Sequence, residues 1–83
     1  MNPDIHLKDL KVGDVAEIVG FYDGDPSYQR KLLSLGLTRG AKIKVIRVAP
    51  FGDPMEISVR GFNLSLRKNE ADVLKVRRGG ENG

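Results

Sequence analysis

Ala41-Lys-Ile-Lys-Val-Ile-Arg-Val-Ala49 decides the architecture of this chain, because its apolar residues change phase half-way along. Ile43 and Val45 alternate with Lys42 and Lys44, the period of two expected of a strand with one buried face. Past Val45 the pattern reverses, and Ile46 and Val48 flank Arg47. A regular strand cannot do this, since a slip of one residue exchanges the two faces of the sheet. A bulge or sharp bend between Val45 and Ile46 resolves the conflict. Small barrels need such bends to carry one strand across two sheets.

On the C-terminal side, Pro50-Phe-Gly-Asp-Pro54 reads as a loop. Met55, Ile57 and Val59 then alternate with Glu56, Ser58 and Arg60. After a turn at Gly61, Phe62, Leu64 and Leu66 alternate with Asn63, Ser65 and Arg67. These two runs predict a hairpin with one buried face, which places Phe62 in the core. Lys68 to Asp72 reads as a short turn, one turn of 3₁₀ helix. Val73-Leu-Lys-Val76 is the closing strand, and the polar, Gly-rich segment after Arg77 is expected to fray.

On the N-terminal side, Asp14-Val-Ala-Glu-Ile-Val-Gly-Phe-Tyr22 is rich in β-branched and aromatic residues and predicts the first strand. Leu7 and Leu10, spaced i, i+3, fit a single helical turn closing one end of the core. Between the first strand and Ala41 lies one helix. Asp25 is its N-cap and Pro26 its first residue, and Gly36 ends it in a left-handed cap that folds Leu37 back on Leu32. Tyr28, Leu32, Leu33 and Leu35 form its apolar stripe. The reading is a mainly β chain: a small five-stranded SH3-like barrel with one short α-helix in the loop after strand one. It forms a single domain over 1–83, with a core of about 5–77 and a tail at 78–83.

A chain of 83 residues buries about 60% of the surface its unfolded form exposes, so the core is thin. It contains no cysteine, so neither disulfides nor thiolate-bound metal can reinforce it. The polar opening Met1-Asn2-Pro3-Asp4 is unlike a signal peptide, and no apolar run approaches the roughly 20 residues that span a bilayer. Both observations point to the cytoplasm. Charge is uneven. Residues 1–40 carry five bases against six acids, and residues 41–83 carry nine against five, which suggests an electropositive side.

Catalytic constellations are missing from the pattern. His6 is the sole histidine and has no cysteine to activate. Ser27, Ser34, Ser58 and Ser65 fall in helix or strand patterns, outside any strained nucleophile turn. Gly36-xxx-Gly40 lacks the Lys-Ser/Thr of a phosphate loop. The reading is therefore non-enzymatic, with no cofactor. Asp4, His6 and Asp9 form a loose cluster whose hard oxygens and single imidazole would hold an ion weakly. Lys42, Lys44, Arg60 and Arg67 form a basic strip that keeps open an alternative, a nucleic-acid-binding barrel, but the aromatics that would stack bases are dispersed. What remains is docking. Leu32, Leu33 and Leu35 crowd one loop helix, and Phe51 sits at a loop tip between two prolines with few partners to bury it.

Tyr28-Gln-Arg-Lys-Leu-Leu-Ser-Leu-Gly36, Leu37-Thr-Arg-Gly40 and Val45-Ile-Arg-Val-Ala-Pro-Phe-Gly-Asp-Pro54 together closely resemble the FeoA family, small cytoplasmic accessory proteins of bacterial ferrous iron transport. Leu7-xx-Leu10-xx-Gly13, Ser65-Leu-Arg-Lys68 and Val73-Leu-Lys-Val76 extend the match over about residues 5–77. The resemblance implies an SH3-like fold and a partner, the FeoB-type membrane Fe²⁺ transporter with its cytosolic G domain. It also implies transition-metal association, for which these side chains offer no tight site. Related barrels occur at the C-terminus of metal-dependent repressors, whose upstream DNA-reading helices this sequence lacks, so a stand-alone barrel of that kind stays open as an alternative and a full-length repressor does not. Carried onto the matching positions, Tyr28 to Leu35 and Arg47 to Pro54 become the contact regions. Leu32, Leu33 and Phe51 are the expected anchors beside Tyr28, and Arg30, Lys31 and Arg47 the charges that orient the partner. Arg30 and Arg39 are candidates for an arginine supplied to the partner's GTP hydrolysis.

Overall fold

The phase change in the Ala41–Ala49 stretch is a β-bulge. A computed structural model describes residues 3–79, and in it Val45 pairs with Ile57 while Arg47 pairs with Glu56, leaving Ile46 as the extra residue. The strand that carries it, β3 (Lys42–Val48), buries Ile43 and Val45 and turns Ile46 towards solvent. A second register shift lies between Ile18 and Gly20 in β2 (Val15–Phe21). Each extra residue bends its strand and increases its twist, so one sheet can wrap around a core too small for two separate layers.

Six strands make that sheet, all antiparallel, in the order β1-β6-β2-β3-β4-β5. The hairpin of β4 (Met55–Val59) and β5 (Phe62–Leu66) occurs where alternation places it. It is joined by Arg60 and Gly61, both at positive φ (51° and 87°), the two-residue turn whose twist matches that of the flanking strands. The core is built mainly from the inward residues of β2, β3, β4 and β6 with Leu7, Leu32, Leu37 and Leu66.

Four features depart from the sequence reading. The sixth strand is β1 (Asp4–His6), in a stretch that composition marks only as polar. It forms because β6 lies beside it, with Ile5 opposite Val76, and because the Arg77 guanidinium reaches Asp4 Oδ1 at 2.8 Å. The closing strand β6 runs Leu74–Arg78, so Arg77 and Arg78 belong to the sheet. Residues 80–83 of the expected tail lie outside the described residues. Lys68–Asp72 is a short α-helix, α2, and not a 3₁₀ turn. Phe62 is not in the core. It keeps 44% of its surface exposed, because β5 is the last strand of the sheet and nothing beyond it covers that side.

The expected 3₁₀ turn at Leu7–Asp9 is present and buries Leu7, with Leu10 buried at its end. Helix α1 (Pro26–Ser34) starts and stops on the predicted signals. The Asp25 carboxylate accepts from the Ser27 backbone N–H at 2.9 Å and from the Ser27 hydroxyl at 2.8 Å. Those two bonds, the backbone one foremost, hold the Asp25 carboxyl below the usual carboxylate range. At the other end Gly36 N–H donates to Leu33 O and Leu37 N–H to Leu32 O, both at 3.0 Å, the paired bonds of a Schellman cap. Gly36 has φ +91°, and a Cβ there would meet Arg60 Cδ at an ordinary 3.5 Å. The cost of Gly36→Ala is therefore one of backbone conformation, expected at about 1 kcal/mol and read as a lower urea midpoint with unchanged slope.

Candidate docking surface

No cavity or cleft opens among the described residues. The polar cluster expected around His6 does not converge on a common point. Asp4 pairs with Arg77, and the Asp9 carboxylate accepts the His6 backbone N–H at 3.2 Å. The His6 ring stacks on Tyr22 with centroids 3.9 Å apart and sets Nδ1 at 2.7 Å from Asp72 O. A carbonyl only accepts, so Nδ1 carries the proton in that bond. Among the described residues no three His, Asp or Glu side chains gather to hold a metal ion. Each of these contacts ties an end of the barrel to its neighbours, a structural role for the histidine.

Five large apolar side chains stand open instead: Val12, Leu33, Ile46, Phe51 and Phe62. Phe51 is 96% exposed, as its place at a loop tip predicts. Leu33 is 40% exposed while its neighbour Leu32 is wholly buried. Leu32 was expected to anchor a partner, and that assignment is corrected: it belongs to the core, since α1 has one inner face and i+1 points away from it. Tyr28 and Leu35 are half-buried against the core. Arg30 is exposed and close enough to Asp25 to help hold its carboxyl down. The Lys31 ammonium is engaged by the Glu70 carboxylate, and Arg47 pairs loosely with Glu56 at 3.8 Å.

Of the predicted contact residues, therefore, Leu33, Arg30 and Phe51 offer open surface, and Lys31 and Arg47 are open but paired. The end of α1 is joined to the β4–β5 turn. Arg60 Nε donates to Gly36 O at 3.1 Å and Arg60 Nη2 to Thr38 Oγ1 at 2.9 Å. The Phe62 ring comes within 4.0 Å of a Cβ built on Gly36. Arg60 and Phe62 thus flank the helix end that carries Leu33, a juxtaposition that alternation concealed by assigning Phe62 to the core. Val12 and Ile46 also stand open, each one residue from the bond that Gly13 N–H donates to Val45 O at 2.8 Å. The phase change at Ile46 was the one sequence signal of this.

A model of the FeoA domain matches residues 5–78, nearly the whole chain. This chain belongs to the FeoA family. A solved FeoA from Chlorobium tepidum is 44% identical, with a TM-score of 0.81 over 95% of this chain and 75% of that one. A fusion of Fe(2+) transport protein A with Fe(2+) transporter FeoB from Porphyromonas gingivalis is 32% identical over 72 residues. That match takes in 87% of this chain and 8% of the fusion protein, so this chain corresponds to a small part of that relative's length. The FeoA of Stenotrophomonas maltophilia, solved with zinc and described as a prokaryotic SH3 domain protein, has a TM-score of 0.76 at 24% identity over 87% of this chain and 88% of that one, which bears on the fold alone. The FeoA domain here is SH3-like, and its family is one of ferrous iron transport. No helix among its described residues is long and apolar enough to cross a membrane.

Proposed function

We propose that this FeoA domain is a non-enzymatic accessory protein that docks, in the cytoplasm, on the cytosolic G-domain region of a FeoB-type Fe²⁺ transporter and regulates it. The observation that carries the reading is the relative in which an A unit and the FeoB transporter share one chain. Joining two units raises the effective concentration of one at the other, which is useful to a pair that works in contact. The surface supports it. Open apolar side chains, with no cleft among the described residues, suit a protein interface better than a small-molecule site. Leu33 and Phe51 are the anchors and Arg30 the orienting charge, with Lys31 and Arg47 at the rim.

Two substitutions test the placement. Leu33→Asp sets a carboxylate where an apolar contact is expected, and Phe51→Ala removes a ring that makes little contact within this chain. Each should weaken binding to the purified cytosolic part of the transporter by about tenfold or more, measured by calorimetric titration. The folded state should be unaffected, because both side chains stand open. Wild-type affinity in both variants would refute this interface.

A further inference from the structure

The sheet ends on an edge that is unusually free to pair. β5 is bonded to β4 on one side only. In a hairpin closed by a two-residue turn the flanking pair, here Val59 and Phe62, is hydrogen-bonded, and bonded pairs then recur at every second residue. Phe62, Leu64 and Leu66 therefore direct their backbone groups to β4, and Asn63 and Ser65 direct theirs outward. Nothing among the described residues bonds those outward groups. β5 also lacks the usual protections of an open edge: Phe-Asn-Leu-Ser-Leu has no charge and no proline, in a chain that is 30% charged. The opposite edge, β1, is only three residues long and carries the Asp4–Arg77 ion pair.

Side chains at the same edge are incomplete in a matching way. Phe62 and Leu64 lie on the core-facing side of β5, yet Phe62 is open and Leu64 only half-buried. One more strand would cover both and bond Asn63 and Ser65. We infer that the β5 edge is a strand-addition site for an extended segment of a partner chain, apolar at alternate positions and acidic at its ends.

Charge selects that occupant over a second copy of this chain. Two β5 strands laid antiparallel about Leu64 would set Asn63 opposite Ser65 and complete a ladder. The same register sets Arg60 opposite Lys68 at both ends, and like charges directly opposite are destabilising. Arg60 reaches a carbonyl and a hydroxyl, and neither it nor Lys68 forms an ion pair among those found in the described residues. Arg67 adds a third positive charge, with Asp53 at 3.9 Å and Glu70 as its acidic neighbours. An incoming strand with carboxylates at its ends meets all three. The inference rests on the docking reading above for which chain supplies the segment, and on the edge alone for its chemistry.

Amide hydrogen exchange, residue by residue, tests it on the full chain with and without the transporter's purified cytosolic part. In the complex the Asn63 and Ser65 amides should slow by about tenfold or more, and those of Phe62 and Leu64, already bonded, far less. A complex that leaves Asn63 and Ser65 exchanging at their free rates overturns the inference while the docking reading stands. Failure to form any complex sinks the docking reading, and the edge is then tested with the synthetic peptide Asp-Glu-Val-Thr-Val-Thr-Val-Asp-Glu. That peptide must protect the same two amides, and added salt must weaken it, or the edge inference falls. Protection that follows dimerisation of this chain alone, read by sedimentation, would make a second copy the occupant and overturn the choice of partner. Ser65→Pro, which deletes an outward N–H, should lower affinity about tenfold where Ser65→Ala changes it less than about twofold. Should the proline variant fail to fold, exchange on the wild-type chain decides.

Discussion

Leu32→Ala should cost about 2–5 kcal/mol of folding stability, and Leu33→Ala, one residue on, well under about 1 kcal/mol. Leu32 has no exposed surface and sits among the core residues, so truncation removes buried methyl groups and leaves a void that a small barrel collapses only in part. Leu33 is 40% exposed and already in contact with water. Domains of this kind are stable by about 5–15 kcal/mol in total, so the first change removes a large share. Urea midpoints at constant slope measure both. Equal losses would mean that α1 is rotated about its axis from the orientation described, and Leu33 would then be disqualified as an anchor for any partner.

Glu70→Ala is expected to cost about 2 kcal/mol. Glu70 is the single buried charged residue among those described, 7% exposed. One carboxylate oxygen accepts from the Arg67 N–H at 2.9 Å, at the start of α2, and the other from the Lys31 ammonium. Alanine orphans the Arg67 N–H and leaves Lys31 without its acid. It also cuts the side-chain link between α1 and α2.

The same residue gives a pH dependence. Burial pushes the Glu70 carboxyl up, but the Lys31 bond, the Arg67 N–H and the charges of both side chains together outweigh it, and the net result lies below the ordinary 4.5. A group held lower in the folded chain contributes stability that is fully present above 4.5 and is lost as pH falls through the lowered value. Glu70→Gln keeps an acceptor for Arg67 but has no charge to titrate. Its stability should trail that of the wild type at pH 7 and converge with it in acid, with denaturant midpoints as the readout. A constant gap between the two across that range would show that the carboxylate charge contributes nothing.

Much of this architecture is written locally. Asp25-Pro26 and Gly36 start and stop α1 because a capping carboxylate, a pre-set φ and a left-handed residue act within one helical turn. The phase change at Val45-Ile46 demanded a bulge, since side chains in a regular strand alternate with a period of two. Phe51 was legible as exposed because a loop tip between two prolines gives its ring few local partners. The FeoA motifs carried the family, and with it a partner class that periodicity could not supply.

Tertiary structure decided the rest, and in each case the deciding neighbour is remote in sequence. β1 exists because β6, some seventy residues on, offers it a ladder and Arg77 offers Asp4 a counter-ion. Leu32 and Leu33 are the same residue type on one helix, and only the direction in which α1 docks makes one core and the other surface. Alternation states which side of β5 Phe62 is on, but not that β5 is the last strand of the sheet. Sequence thus determined which faces of each element are apolar. Which of those faces find cover was settled by the order in which six strands meet, and an uncovered face is what a docking protein has to offer.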